Sequence, residues 1–255
     1  PFQSRRYHSD TCVSVRQEWE NKAADTIGRA LARLQQRSAA SPAEITKTRI
    51  GHTVAEYCEK PLNKAVFMVR TGQVDYGPNL VQNPGMEQAW GEGAYTNCTA
   101  DQKGIAQGWN TPNNTRKLGG IIDTLSYAQP DARFGSRSGR MRKAGASAYY
   151  FSNSFSVKTG QVYWCQADVR LNVPEARGEM KPRVFLVVRW FGKGWMNGAD
   201  YVAELGALNK WQRLETAALP PAGAVAGHVW LNVENLEGEA EVLCDNFSAQ
   251  LITAR

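Results

Sequence analysis

The stretch QVYWCQADVRLN, Gln161 to Asn172, alternates with period two. Tyr163, Cys165, Ala167, Val169 and Leu171 share one side, and Trp164, Gln166, Asp168 and Arg170 share the other, which is the pattern of a β-strand with one buried face. The first side is wholly apolar. The second holds an indole, an amide, a carboxylate and a guanidinium in a row, a richer mixture than the short hydroxyls and isolated charges of a plain solvated strand.

Working outward, the same mixture recurs in AGHVWLNVE, Ala226 to Glu234, where Val229, Leu231 and Val233 alternate with His228, Trp230, Asn232 and Glu234. In RVFLVVRW, Arg183 to Trp190, the inward set is Val184, Leu186, Val188 and Trp190, and Phe185, Val187 and Arg189 face out. Further strands are expected near Leu80–Val81, Ile121–Tyr127, Gly139–Lys143, Ala148–Val157, Trp211–Ala218 and Glu241–Ile252. Many short strands separated by Gly/Pro turns, with almost no helical text, predict a mainly β fold, an antiparallel jelly-roll β-sandwich over 76–255. Trp90 to Gly120 and Gly192 to Lys210 read as long loops that hold Trp195 and Tyr201.

The N-terminal part has a different period. Val15, Trp19, Ala23, Ile27, Ala30, Leu31 and Leu34 are spaced three and four apart, as in an amphipathic helix. Ser41, Pro42 and Glu44 then have the form of a helix start, and Pro61 should kink or restart that second helix before Ala65, Val66 and Val69. Residues 1–72 are therefore predicted to be an α-helical hairpin, with the boundary at TGQVDYGPN (Thr71 to Asn79). Such a hairpin buries little by itself and must lean on the following domain, on another copy of the chain or on an adjoining catalytic domain.

Composition narrows the classes. The 255 residues are 42 % hydrophobic and 10 % aromatic, enough for a substantial core. No apolar run approaches the roughly 18 residues of a membrane span. The formal charge of +6 sits mostly in residues 1–72, with 12 Lys/Arg against 7 Asp/Glu, while residues 73–255 carry 18 against 17. A nearly neutral β region, whose basic cluster at Arg133–Lys143 lacks interleaved aromatics, argues against a nucleic-acid partner. Five cysteines without CxxC spacing make neither a zinc ribbon nor a disulfide framework. Cys165 and Cys244 are left as either a pair or two buried thiols. The chain opens at Pro1 with no charged-then-apolar leader, and we read this as a processed end or a fragment boundary.

Taken in order, NLVQNPGMEQAW (Asn79 to Trp90), Gly108–Trp109, SGRMRKAG, SFSVKTGQVYWCQADVR, WQRLETAALPPAGAVAGHVWLNVE and LCDNFSAQLI resemble a carbohydrate-binding module, the galactose-binding-like jelly roll appended to bacterial polysaccharide-degrading enzymes. The resemblance covers about residues 79–252. It implies a non-catalytic module that holds an attached enzyme on its polysaccharide or oligosaccharide, secreted or at the bacterial cell surface or periplasm. It also implies a structural Ca²⁺ at Glu87 and Asp245; the competing role for these two is turn capping, and Asn246 stands where many members have a second acid.

If the strands share one concave sheet, their outer residues form one ligand floor: Trp164, Gln166, Asp168, Arg170, Arg189, His228, Trp230, Asn232 and Glu234. Rings would stack on sugar C–H faces, and the polar groups would select hydroxyls. The other role for Trp164 and Trp230 is as buried filler beneath loops or beneath the helical hairpin. Two functions from other classes stay open. One is a protein assembly module. The other is a glycosidase or lyase, using Asp168 with Glu234 as paired carboxylates, or His228 with Asn232, Arg170 and Arg189 around a uronate.

Overall fold

The computed structural model describes residues 58–100, 102–110, 121–126, 133, 135–142, 145–174, 182–196 and 201–255. Most of the expected helical hairpin lies outside these residues. Its last segment is helix α1 (Pro61–Arg70), which begins at the proline as anticipated, with the missing N–H of Pro61 falling in the first turn. It ends in a Schellman turn: Gln73 N–H donates to Met68 O (2.8 Å) and Gly72 N–H to Val69 O (3.2 Å), with Gly72 at φ +69°. Among the described residues no helix is long and apolar enough to cross a membrane.

Among the described residues twelve strands follow: β1 (Val74–Tyr76), β2 (Trp109–Asn110), β3 (Ile121–Ser126), β4 (Arg137–Arg142), β5 (Gly145–Ser152), β6 (Phe155–Ser156), β7 (Tyr163–Asn172), β8 (Arg183–Phe191), β9 (Tyr201–Glu204), β10 (Gln212–Ala218), β11 (Ala226–Leu236) and β12 (Glu241–Ala254). They form two antiparallel sheets. The first runs β10-β7-β12-β4-β3 with β1 added to β12, and the second runs β2-β5-β11-β8-β9 with β6 added to β11. Successive strands cross repeatedly between the sheets, so the protein is a mainly β, antiparallel sandwich of jelly-roll form.

The inward faces are those the alternation selects. Cys165, Ala167, Val169 and Leu171 of β7 meet Val229, Leu231 and Val233 of β11 and Val184, Leu186, Val188 and Trp190 of β8 in one buried core. Small residues mark where large ones need room. A Cβ on Gly227 would come within 2.9 Å of the Phe155 and Trp190 rings, so glycine is required at that inward position.

Two details differ from expectation, and one open alternative is decided. Leu80–Val81 is not a strand; the edge strand is Val74–Tyr76, inside the presumed boundary segment, paired with Ile252–Ala254. Tyr201–Glu204, within a presumed loop, pairs with Phe185–Val188 as β9. Cys165 and Cys244 are both free and buried, and the register sets Cys165 opposite Ala249 and Cys244 opposite Val169, so the two are not paired.

Candidate ligand-binding face

The two strands expected to share a floor do not share a sheet. β7 sits inside the first sheet and β11 inside the second, so their outward residues lie on opposite sides of a sandwich whose layers are roughly 10 Å apart. The nine-residue floor is therefore divided, and Asp168 and Glu234 cannot flank one glycosidic bond.

On the β7 side, Trp164 is buried under α1. It packs with Ala65, Val66, Val74, Ala217 and Ile252, with the Arg70 guanidinium 5.8 Å from its ring centre and Arg70 ion-paired to Glu215. Asp168 is 1 % exposed, and its oxygens are already engaged. Arg213 donates Nε to Oδ1 (3.1 Å) and Nη2 to Oδ2 (3.2 Å), and Asn246 Nδ2 donates to Oδ2 (2.9 Å). A carboxylate held by a forked guanidinium and an amide ties β7 to β10 and β12. Gln166 is half-buried, with Glu215 and Ser248 as its cross-strand neighbours, and Arg170 is half-buried opposite Leu243.

The β11 side keeps the other five residues together. Antiparallel register lines them up in rows: Asn110, Phe151, Trp230, Val187 and Val202 in one, Tyr149, Asn232, Phe185 and Glu204 in the next, and His228 beside Arg189. The rings interlock. Trp230 stacks on Tyr149 (4.6 Å between centroids, 30°) and on Phe151 (4.8 Å, 24°), meets Trp195 edge-on at 5.5 Å, and has the Arg189 guanidinium 4.6 Å from its centre. With these neighbours Trp230 is only 9 % exposed, so it anchors the face and offers little ring surface itself. The accessible ring is Trp195, 50 % exposed, with Phe191 beside it at 5.6 Å.

The polar groups surround this cluster. His228 lies 5.1 Å from Trp195 and donates Nδ1–H to Ser152 O at 3.0 Å, since a carbonyl can only accept. Burial pushes its pKa below the usual imidazole value, and the Ser152 carbonyl partly offsets that shift. Arg183 donates to both oxygens of Glu204 (2.9 and 3.2 Å) and approaches Glu234 at 3.5 Å, which closes one end of the face with mutually engaged charges. At the β2 edge an amide ladder runs from Asn110 through Asn153 to Gln82. Tyr149, Phe151, Arg183 and Asn110 were not singled out from sequence. The first two were visible as the large alternate positions of GASAYYFS, outward of the small Ala148; the others required the pairing.

Glu87 and Asp245 lie in different parts of the chain and meet at Gly85. A Cβ there would be 3.6 Å from Asp245 Oδ1 and 4.0 Å from Glu87 Oε1. Glu87 accepts hydrogen bonds from Ser136 N–H (3.0 Å), Ser136 Oγ–H (3.0 Å) and Arg137 N–H (3.2 Å), and Asp245 Oδ1 accepts from Asn246 N–H (2.6 Å). Among the described residues no third Asp, Glu, His or Cys joins them. This all-oxygen pair is compatible with a hard cation only if backbone carbonyls complete the shell.

Fold and site together define a jelly-roll sandwich with one outer face covered near Trp164 and the other bearing an aromatic cluster rimmed by polar groups. No protein-family model matches the chain, and no curated protein matches it. Among solved structures, the enzymatically active domain of bacteriophage CBA120 tailspike protein 4 is similar over 68 % of this chain and 21 % of its own, at 14 % identity and a TM-score of 0.45. TmCBM61 in complex with β-1,4-galactotriose is similar over 70 % of this chain and 100 % of its own (16 %, 0.43), and a Stig cyclase from Fischerella sp. TAU over 71 % and 98 % (15 %, 0.47). Likenesses this distant carry no argument about activity or ligand.

Proposed function

We propose that the protein is a non-catalytic glycan-binding module whose ligand face is the outer side of the β11 sheet. The observation that supports this is the joining of half-exposed rings, Trp195 above all, with His228, Arg189, Asn232, Glu234 and the Asn110 edge on one surface. Sugars present apolar C–H faces and polar rims, and such a surface matches both. Its work would be to hold an attached glycan-degrading enzyme near its polymer outside the cell, raising local concentration without itself lowering a chemical barrier.

The test is affinity electrophoresis against neutral and acidic polysaccharides. Wild type should be retarded on at least one polymer, and Trp195→Ala, which removes an exposed ring at little cost to the core, should be retarded markedly less. Free migration of wild type on every polymer would overturn the proposal.

We also propose that Glu87 and Asp245 hold a structural Ca²⁺, which would supply charge to bind the turn that precedes Glu87 to β12 at Gly85. A bound ion stabilises the native state in proportion to its occupancy, so EGTA should lower the melting temperature and added Ca²⁺ should restore it. An identical melting curve in EGTA rejects the site.

A further inference from the structure

We infer that one end of the sandwich is a docking surface for a lipid bilayer with anionic headgroups, touched from its aqueous side. The inference is independent of the glycan-binding proposal. Among the described residues five large hydrophobic side chains are exposed, and three of them, Phe191 (38 %), Trp195 (50 %) and Val225 (60 %), gather at the end of the second sheet where β8 finishes and β11 begins. Backbone contacts hold them together. Val225 N–H donates to Phe191 O (2.9 Å) and Val157 N–H to Val225 O (3.1 Å), and Phe191 bridges to Trp195 across a turn closed by Gly192 N–H to Gly194 O (2.9 Å). A Cβ on Gly192 would stand 2.5 Å from Gly223 O, so the 191–196 and 219–225 loops touch directly and glycine permits the approach.

The charges of these loops are of one sign. Segments 153–162, 191–196 and 219–225 contain no Asp or Glu, and their exposed cations are Lys158 and Lys193. Lys193 is the tip of the Gly192–Gly194 turn, and Lys158 follows Val157, which is hydrogen-bonded to Val225. The opposite end, where β9 and β11 finish and β12 begins, carries Glu204, Glu234, Glu237, Glu239 and Glu241 among the described residues, with Arg142, Arg183 and Lys210 offsetting them in part. The occupant follows from this pairing of apolar tips with cations. Three side chains expose far less than the about 800 Å² per partner of a stable protein interface, so a second protein gains little here. A bilayer needs no matching shape. A few apolar side chains enter the boundary between headgroups and tails, an indole suits that boundary, and lysine stems lie along apolar surface while the ammonium reaches anionic headgroups. Trp195 stands at the corner between this end and the β11 face, so the test leaves it in place.

The experiment is co-sedimentation of the full chain with vesicles of phosphatidylcholine alone and of phosphatidylcholine mixed with phosphatidylglycerol. The proteins are wild type, Val225→Ser, Val225→Trp and the pair Lys158→Gln with Lys193→Gln, all at exposed positions, with melting temperatures measured alongside to show that each is folded. Wild type should sediment with the mixed vesicles and far less with phosphatidylcholine alone. The lysine pair should weaken that binding about 20- to 30-fold, since each cation near an anionic surface is worth about fivefold. Val225→Ser should weaken it about two- to fivefold and Val225→Trp should tighten it, following the apolar area each places in lipid. No binding of wild type to the mixed vesicles would overturn the inference. Binding that all the variants leave unchanged would overturn it too, since it would then be carried elsewhere, as by the basic excess of residues 1–72. A dimer broken by Val225→Ser, without vesicle binding, would make this end a contact between copies and also overturn it. Val225, Lys158 and Lys193 are no part of the proposed glycan face, so retardation of the same variants on polysaccharide keeps the two proposals separately testable.

Discussion

Replacing Trp164 by Ala separates the two outer faces. Trp164 is 3 % exposed and packs between β10, β12 and α1 through Ala65, Val66, Val74, Ala217 and Ile252. An aromatic side chain buries about 150–250 Å², which at about 25 cal/mol per Å² is an upper bound of roughly 4–6 kcal/mol. The helix can settle part of the way into the space, so the expected loss is about 3–5 kcal/mol, as for large-to-small core changes generally. In a domain of this size that lowers the melting temperature by roughly 10 °C. A ten-residue helix deprived of its packing partner is marginal, so cleavage by protease within Pro61–Arg70 should quicken. Glycan affinity should not change, because the proposed ligand face is on the opposite sheet. Urea denaturation, limited proteolysis and affinity electrophoresis on the same preparation read all three effects. Stability within about 1 kcal/mol of wild type, or lost glycan binding by a folded variant, would refute the reasoning.

Two other perturbations test the interior and the rim. Gly139→Ala places a Cβ 2.2 Å from Met86 Sδ and 2.8 Å from Cys244 Sγ, all in the buried core, and should cost about 1–3 kcal/mol in urea unfolding; Met86→Ala in the same chain should recover part of it, and full additivity would reject the clash as the cause. His228 has a folded-state pKa below its ordinary 6.5, so the unfolded chain takes up a proton first as pH falls, and stability present above about pH 6.5 is lost below it. His228→Gln should flatten part of that decline between about pH 6.5 and 5; an unchanged slope in the urea midpoints would refute the burial account.

Much of the sandwich was legible in the chain because one buried face imposes period two locally. Tyr163, Cys165, Ala167, Val169 and Leu171 are inward as the alternation requires, and the same holds for Val229, Leu231 and Val233. Pro61 marked a helix start through its fixed φ and missing N–H. Shorter elements escaped. Val74–Tyr76 and Tyr201–Glu204 have too few residues to show a period, and they are strands because edges of longer strands accept them.

Alternation thus determined, from sequence alone, which side of β7, β8 and β11 faces the core between the sheets. It is silent about which sheet a strand joins, since both outer faces of a sandwich look alike to a single strand. That choice rests on distant pairing: β7 with β10 and β12, β11 with β5 and β8. Two strands with nearly the same outward text therefore have different surroundings, because α1 covers Trp164, while the rings of Tyr149, Phe151 and Trp195 gather around Trp230 and leave His228 and Asn232 at the rim of a surface.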